Sequence, residues 1–291
     1  MVKKIFTISL VLIIALSFVA CTGGDEGEAG LPSAQEIIDG VIEAQDDIRT
    51  YQFDVDMTMD MAFEVEDEAF EQDMAMGFSG AFDLENSRMW LDMTMSTAAT
   101  GEDEMEVEME MYLIGDMVYT MVEDPETGSM WEKSEMTPEF WEEVNQYINQ
   151  VEPQMELLEV VQVEVIGSEK VGGVDCYVLQ LTPDMEQLWQ LAMQQAGVTG
   201  ELVLPDIGEE FLREAFKNFS VKQWVAKDTY FLTKVEMYMA MELTPEALGY
   251  PEEEGLMTMD ITMNLLAYNY NQPVSIVLPQ EAEEVVEVPI Y

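Results

Sequence analysis

A two-residue alternation of apolar and acidic side chains constrains this chain more than any other feature. The stretch EMEVEMEMYLIGDMVYTMV, from Glu104 to Val122, alternates almost without error, and most of its apolar residues are methionine. Successive side chains of a β-strand point to opposite sides, so such a run predicts a strand with one apolar and one acidic face. The Gly115-Asp116 pair then predicts a two-residue hairpin turn.

The same alternation recurs along most of the chain. From Tyr51 to about Lys133 it predicts a meander of five or six antiparallel strands with one apolar face, which Met117, Tyr119 and Met121 continue after the turn. A second hairpin is predicted to turn near residues 170–173, and a third pair of strands to turn at 227–228. With the last alternating run, 256–268, the pattern predicts about eleven strands in one α+β domain.

Four segments have helical spacing instead. Ser33 and Glu36 fit a capping box that begins a helix with an apolar stripe from Ile37 to Ile48. Further helices are predicted from Thr137 to Ile148, from Asp184 to Gly197, and after Asp206. The last of these is expected to carry five apolar side chains on one stripe: Phe211, Leu212, Ala215, Phe216 and Phe219.

The charge of the chain excludes several classes of function. It has 60 Asp and Glu residues against 11 Lys and Arg, a formal net charge of -49, and this repels nucleic acid phosphates and anionic lipid headgroups. There is no histidine, which removes a histidine base, a histidine-based triad and every histidine metal site. We therefore expect neither an enzyme nor a nucleic-acid-binding protein, and we identify no cofactor and no catalytic residue.

The N-terminus predicts export and lipidation. Lys3 and Lys4 precede an apolar segment from about Ile5 to Val19, which is too short to span a membrane and ends at Val19-Ala20-Cys21. This ending resembles the cleavage motif of bacterial lipoproteins, which implies a diacylglycerol on the Cys21 thiol and an extracytoplasmic location. We divide the chain into a signal peptide (1–20), the lipidated cysteine with a Gly-rich tether (21–32), one domain (33–280) and an acidic tail (281–291).

Cys176 is the second of two cysteines. With Cys21 acylated, no intrachain disulfide is expected. The residue lies in the strand-like run GVDCYVLQL, and no histidine is available to lower its pKa. A buried core cysteine is therefore predicted.

The methionines suggest what the apolar face contacts. The chain has 25 of them, and methionine is an unbranched, flexible side chain that suits surfaces fitting variable apolar shapes. A sheet of this width needs a cover, and only four helices are predicted, so we expect a concave sheet with an apolar cavity for an acyl chain such as palmitate. Sixteen buried carbons contribute roughly 10 kcal/mol before ordering costs. The predicted cavity lining is Met57, Met59, Met61, Met76, Phe78, Met93, Met95, Met105, Met109, Met111, Met237, Met239, Met241, Met259 and Met263.

Several of these segments resemble one family of bacterial lipoproteins. YLIGDMVYTM followed by Trp131, GSEKVGGVDCYVLQLTPD, WVAKDTYFLTKVEM and the closing NYNQPVSIVLP (Asn269 to Pro279) are similar to segments of the LolA/LolB and LppX/LprG-type proteins. The resemblance implies a half-open antiparallel barrel with helices over its concave face. It also implies a protein that binds or shuttles lipids or lipoprotein acyl chains, without catalytic residues and with a closing strand at 269–279. We expect the protein to be a monomer.

Two other functions remain open at this stage. The domain is equally compatible with a non-catalytic surface lipoprotein that senses lipids or carries no cargo. Alternatively, acidic runs such as 102–104 and 252–254 collect Ca²⁺ through carboxylates, although no twelve-residue Ca²⁺ loop is present. A cation-binding protein would gain thermal stability from micromolar Ca²⁺ that matched NaCl does not give.

The lipidation hypothesis makes a direct prediction. Replacing Cys21 by serine removes the thiol that carries the diacylglycerol, so the Cys21→Ser chain should be released from the membrane fraction and should not incorporate labelled fatty acid. Fractionation and metabolic labelling of the two chains measure this. Unchanged membrane retention of the serine variant would refute the prediction.

Overall fold

The structure is a computed structural model. It describes residues 31–65, 68–101, 103–124, 128–135, 161–184, 215–244, 255–283 and 285. The helix expected at 137–148, the part of the next expected helix after Asp184, and the acidic run 252–254 lie outside the described residues, as does the first residue of the acidic run 102–104. Among the described residues, no helix is long and apolar enough to cross a membrane.

Eleven strands form one antiparallel sheet, as the alternation predicted. The first six are β1 (Thr50–Val65), β2 (Glu68–Asp83), β3 (Arg88–Ala99), β4 (Met105–Ile114), β5 (Met117–Asp124) and β6 (Gly128–Glu135). The other five are β7 (Val161–Val171), β8 (Val174–Pro183), β9 (Phe216–Ala226), β10 (Leu232–Leu243) and β11 (Leu256–Tyr268). Their spatial order is β6-β5-β4-β3-β2-β1-β11-β10-β9-β8-β7, so the sheet does not close and β6 and β7 are its edges.

The sheet consists of two meanders joined by one long-range pairing. Neighbouring strands within β1–β6 and within β7–β11 are consecutive in the chain, and only β1 and β11 pair across more than 200 residues. Their register runs without a shift from Gln52 opposite Tyr268 to Glu64 opposite Leu256. This pairing places the two meanders edge to edge, so each side of the sheet is continuous across all eleven strands.

The first helix, α1 (Ala34–Gln45), forms where the capping box predicts it. The Glu36 backbone N–H donates to Ser33 Oγ, and the Ser33 N–H donates to Glu36 Oε2, at 3.3 and 2.9 Å. Ile37 and Ile38 are 0% and 1% exposed and pack with the central methionines of the sheet. Gly40 lies against the ring of Tyr230, where an added Cβ would come within 2.6 Å of a ring carbon, so this position requires glycine.

Two predictions of secondary structure were wrong. Phe216 and Phe219, expected on a helix, are residues of β9, because cross-strand pairing with β10 absorbs their backbone groups. The segment 269–279, expected as a closing strand, forms no ladder with the sheet. It crosses the side of the sheet opposite α1, and is followed by the short helix α2 (Gln280–Glu283) beside β6.

The segment from Val274 to Leu278, which we call the strap, covers an aromatic group on that opposite side. Val274, Ile276 and Leu278 alternate inward, and Ile276 is only 6% exposed. They pack with Ala81, Trp90, Tyr112, Ile114, Tyr119 and Trp131. The strap therefore attaches the segment after β11 to strands β2 to β6 of the first meander by apolar contact, without strand pairing.

Truncation of the strap should measure this attachment. Removing a buried isoleucine side chain costs about 2–5 kcal/mol, so Ile276→Ala should lower the free energy of unfolding by an amount in that range. Val277 is the matched control, because its side chain is 71% exposed and Val277→Ala should have little effect. Denaturant unfolding of both variants gives the two values, and equal values would contradict the packing.

Candidate functional site

Directly opposite residues in antiparallel strands share one side of the sheet, so the register assigns every strand residue to a side. The side that holds Met57 and Met59 of β1 we call the methionine face, and the other side the back face. On one side of β1, Met57 lies opposite Met263, which lies opposite Met237. On the other side, Met57 lies opposite Met76, which lies opposite Met95. The methionines therefore form continuous rows across strands that are far apart in sequence.

The structure places all fifteen predicted lining residues on the methionine face. Phe78, Met93 and Met109 lie opposite one another and form a second row. Met111 belongs to a third row, which continues through Leu91 and Gly80 to Phe53. The strand pairings place the remaining predicted lining residues on the same face. For example, Met239 lies opposite Ile261 and Met241 lies opposite Met259. The proposed lining is thus one surface, although its residues come from six strands.

These fifteen residues divide into two groups by exposure. Those under or near α1 are 2–5% exposed and belong to the main hydrophobic core: Met57, Met59, Met76, Met237, Met239, Met259 and Met263. Those farther out are half-buried: Met61, Phe78, Met93, Met95, Met109, Met111 and Met241. Met105 is 59% exposed. The first group packs as core, and the second group, with Met105, presents apolar surface that a ligand can contact.

Aromatic rings fill one end of the methionine face. This end, which we call the turn end, holds the tight turns at 84–87, 115–116, 172–173 and 227–229. The Tyr51 ring stacks on Phe82 at 4.9 Å between centroids and on Tyr270 at 5.8 Å. Phe53 lies over Gly80, where an added Cβ would come within 2.6 Å of its ring, so glycine makes room for this ring.

These rings are partly buried. The Tyr270 hydroxyl donates to the Leu232 carbonyl at 2.6 Å, and burial raises the pKa of Tyr270 and of Tyr51 above the ordinary tyrosine value. Both phenols therefore stay neutral at physiological pH. A ligand on the methionine face would meet a neutral aromatic floor here.

The opposite end, which we call the rim, exposes apolar side chains of the same face. Phe70, Met105, Val122 and Met130 lie at the rim ends of four different strands and are 37–59% exposed. Phe70 contacts Phe63 across the β1–β2 pair at 6.2 Å between ring centroids. Exposed apolar groups on one side of a sheet are typical of an interaction or ligand-binding surface.

One part of the apolar pattern was assigned to the wrong face. Met117, Tyr119 and Met121 lie on the back face, because the two-residue turn pairs Ile114 with Met117 and Tyr112 with Tyr119. The residues of β5 on the methionine face are Val118, Thr120 and Val122. The sequence did contain a signal for the back-face group. Trp90, Tyr112 and Ile114 stand at the alternate positions of β3 and β4 where acidic residues are otherwise found.

The back face is otherwise acidic. Repulsion from Glu123, with smaller effects of burial and of Glu106 and Asp92, raises the pKa of Glu108 above the ordinary value. Among the described residues, no group of three or more acidic or cysteine side chains has an arrangement that could hold a metal ion. These carboxylates therefore repel one another on the described surface without forming a metal-ligand set.

Cys176 and Trp224 lie in a small back-face cluster with Val178. Cys176 is 0% exposed, as predicted for a core cysteine, and burial raises the pKa of its thiol. The Trp224 indole N–H donates to Glu169 at 2.9 Å. A neutral buried thiol is unsuited to nucleophilic chemistry.

Comparison with known proteins gives a family without a described function. The model of a family described as "Family of unknown function (DUF6612)" matches residues 33–286. No curated protein matches the chain.

Solved structures to which the chain is similar include two lipoproteins and a lipoprotein-sorting domain. LppX from Mycobacterium tuberculosis is 12% identical with a TM-score of 0.36, covering 83% of this chain and 97% of its own. LprF from Mycobacterium bovis is 10% identical with a TM-score of 0.33, covering 84% and 96%. An outer membrane lipoprotein-sorting domain from Vibrio parahaemolyticus is 13% identical with a TM-score of 0.22, covering 82% and 93%. Similarity at this level carries no information on ligand or mechanism.

The repulsion around Glu108 predicts a pH-dependent change in stability. A carboxyl group whose pKa is raised in the fold costs stability while it is ionised, and the cost vanishes as the pH falls through the raised pKa toward the ordinary value of 4.5. Glu108→Gln should therefore raise the melting temperature at pH 7, and this gain should shrink at pH 4.

Glu164→Gln is the matched control for this measurement. Glu164 is an exposed back-face residue of β7 that lies opposite Gln180, so it has no acidic residue directly across from it. The Glu164→Gln substitution removes the same charge as Glu108→Gln and should raise the melting temperature less at pH 7. Equal gains for both variants at both pH values would show that only net charge matters.

Proposed function

The chain belongs to the family of unknown function DUF6612, and from its own geometry we propose that it is a membrane-anchored extracytoplasmic lipoprotein that binds a lipid acyl chain on the methionine face. The observation that carries the proposal is the half-buried outer part of this face, where Met93, Met95, Met109 and Met111 lie together on β3 and β4. Binding there would be non-catalytic and would require no cofactor.

The chemistry of this surface supports a flexible apolar ligand. Thioether side chains adapt to irregular apolar shapes, and burial of each methylene of a ligand contributes about 0.8 kcal/mol. The face runs from the exposed rim at Met105 to Leu113, whose row continues through Met89 to the ring of Phe82, a span of eight residues along β4. At about 3.4 Å per residue this is roughly 27 Å, which accommodates a sixteen-carbon chain in extended form.

The cellular context of the proposal rests on the N-terminus. We propose that residues 1–20 are removed, that Cys21 carries the lipid anchor, and that residues 22–32 tether the domain to the membrane surface. The anchor would hold the domain near a supply of acyl chains. A carrier that transfers its cargo and a sensor that retains it would share this arrangement.

Extraction of bound lipid tests the proposal. The form without residues 1–21 keeps every residue that the structure describes, and we expect it to copurify with lipid that native mass spectrometry and solvent extraction detect. It should also take up a fluorescent fatty acid or fatty alcohol. Recovery of only ligand-free protein, with no uptake of either probe, would overturn the proposal and favour a surface lipoprotein without cargo.

Substitutions separate the binding surface from the core. Met109 is half-buried on the outer part of the methionine face, so Met109→Gln should weaken probe uptake about tenfold while changing the melting temperature little. Met239 is 3% exposed in the core, so Met239→Gln should instead destabilise the fold by a few kcal/mol.

Glu106→Gln is the matched control for Met109→Gln. Glu106 is an exposed residue of the same strand, on the back face, and its substitution introduces the same side chain. Probe uptake should be unchanged. An equal loss of uptake in the Glu106 and Met109 variants would contradict a ligand on the methionine face.

A further inference from the structure

Thioether side chains of two neighbouring strands lie close together on the outer part of the methionine face. Met93 of β3 lies directly opposite Met109 of β4, so the two side chains share one side of the sheet. Met95 follows Met93 by two positions on β3, and Met111 follows Met109 by two positions on β4. Directly opposite Cβ atoms are about 4.5–5.5 Å apart and diagonal neighbours about 7–8 Å, distances that flexible methionine side chains can bridge. A third sulfur atom can therefore approach the Met93–Met109 pair from either side.

The Met93–Met109 pair has apolar strand partners and is partly open to solvent. Phe78 lies opposite Met93 on β2, and Val122 lies opposite Met109 on β5. Both methionines are half-buried, as are the two flanking methionines of the same strands. A small ion can therefore reach these sulfur atoms from solvent, and its neighbours at the pair would be thioether and hydrocarbon groups.

The carboxylates of the same two strands lie on the other side of the sheet. Asp92 pairs with Glu110, and Glu106 and Glu108 alternate with the methionines of β4. Hard cations such as Ca²⁺ and Mg²⁺ take oxygen ligands, which these back-face carboxylates cannot supply on the methionine face. The net charge of -49 nevertheless raises the concentration of cations around the chain. The methionine face at this pair thus favours a cation of the kind that sulfur binds.

We propose that the outer methionine face binds a soft monovalent cation, Cu(I) or Ag(I), through the thioethers of Met93 and Met109 and a third thioether from Met95 or Met111. Thioether sulfur is among the soft ligands that select Cu(I), whereas carboxylate and carbonyl oxygens suit Mg²⁺ and Ca²⁺. The ion binds and leaves without a change of oxidation state. This inference does not rest on acyl-chain binding, because it depends on the sulfur atoms and not on the apolar area of the face.

Silver titration of the full chain tests the site. The chain carries ¹³C at its methionine methyl groups, is held in nanodiscs of uncharged phosphatidylcholine, and is titrated with silver nitrate in chloride-free buffer. Ag(I) replaces Cu(I) without redox chemistry, and the methyl group attached to a coordinated sulfur changes its chemical shift. Because the label reports thioethers, silver bound to Cys21 or Cys176 is not counted. Leucine substitutions, one methionine at a time, assign the signals.

We expect the methyl signals of Met93 and Met109 to shift at the lowest silver concentrations, together with that of a flanking methionine. Met105 and Met130 are internal controls, since they are 59% and 58% exposed and each has a residue without sulfur directly across from it. Their signals should shift only at higher silver concentrations. Calcium nitrate at the same concentrations should shift none of these signals.

Removal of the two central sulfur atoms measures their share of the affinity. Met93→Leu/Met109→Leu keeps apolar side chains of similar volume. Its affinity for Cu(I), measured anaerobically by competition with a chromophoric Cu(I) chelator, should fall on the order of tenfold or more. Met117→Leu is the matched control, because Met117 is a half-buried methionine on the back face, opposite Ile114 and Glu135, and its substitution should leave the affinity unchanged. The silver titration tests the proposal in the unaltered chain even if the double variant does not fold.

The outcomes separate this site from the proposed function. Methyl signals that shift in order of exposure, with Met105 and Met130 first, overturn the cation site, and so does the absence of any shift. Equal Cu(I) affinities of Met93→Leu/Met109→Leu and Met117→Leu overturn its assignment to the central pair. The lipid extraction described above is a separate measurement, so failure of either proposal leaves the other in place.

Discussion

The pairing of β1 with β11 is the contact on which the rest of the structure depends. It joins two meanders that are otherwise local in sequence, and it sets Met57 opposite Met263 and Met61 opposite Met259. Polar contacts hold the same junction at the turn end, where the Arg49 N–H donates to Asn271 Oδ1 at 2.7 Å and Thr50 donates to the Gln272 carbonyl at 2.6 Å. Because closing so long a loop is entropically costly, we expect this pairing to limit the rate of folding.

That junction gives the methionine face two different parts. At the centre, near α1, methionines from both meanders pack shut around Ile37 and Ile38 and supply stability. Toward β3 and β4 the same residue type stays half-buried. Methionine suits both environments, since its flexible thioether fills core gaps and also adapts to a variable partner.

The alternation predicted the strands well because side-chain direction in a strand depends only on local geometry. The eleven strands, the turns after Ile114 and Ala226 and the capping box at Ser33 are all local features of this kind. The assignment of faces after a turn was less reliable. Met117 and Met121 continue the apolar phase in sequence, yet the two-residue turn pairs Met117 with Ile114 and so places them on the back face. Phe216 and Phe219 similarly fit a helical stripe until pairing with β10 makes them strand residues.

The sequence by itself determined that the chain builds long strands with one apolar and one acidic side, that the apolar side is largely methionine, and that histidine chemistry is absent. These properties follow from period and composition, which need no knowledge of distant contacts. Only the tertiary structure decided that β1 joins β11, that the fifteen candidate residues share one face, which of them are core, and that the strap covers the aromatic back face without pairing. Those outcomes depend on which strands meet, and burial is a property of the neighbours that a residue acquires, not of the residue itself.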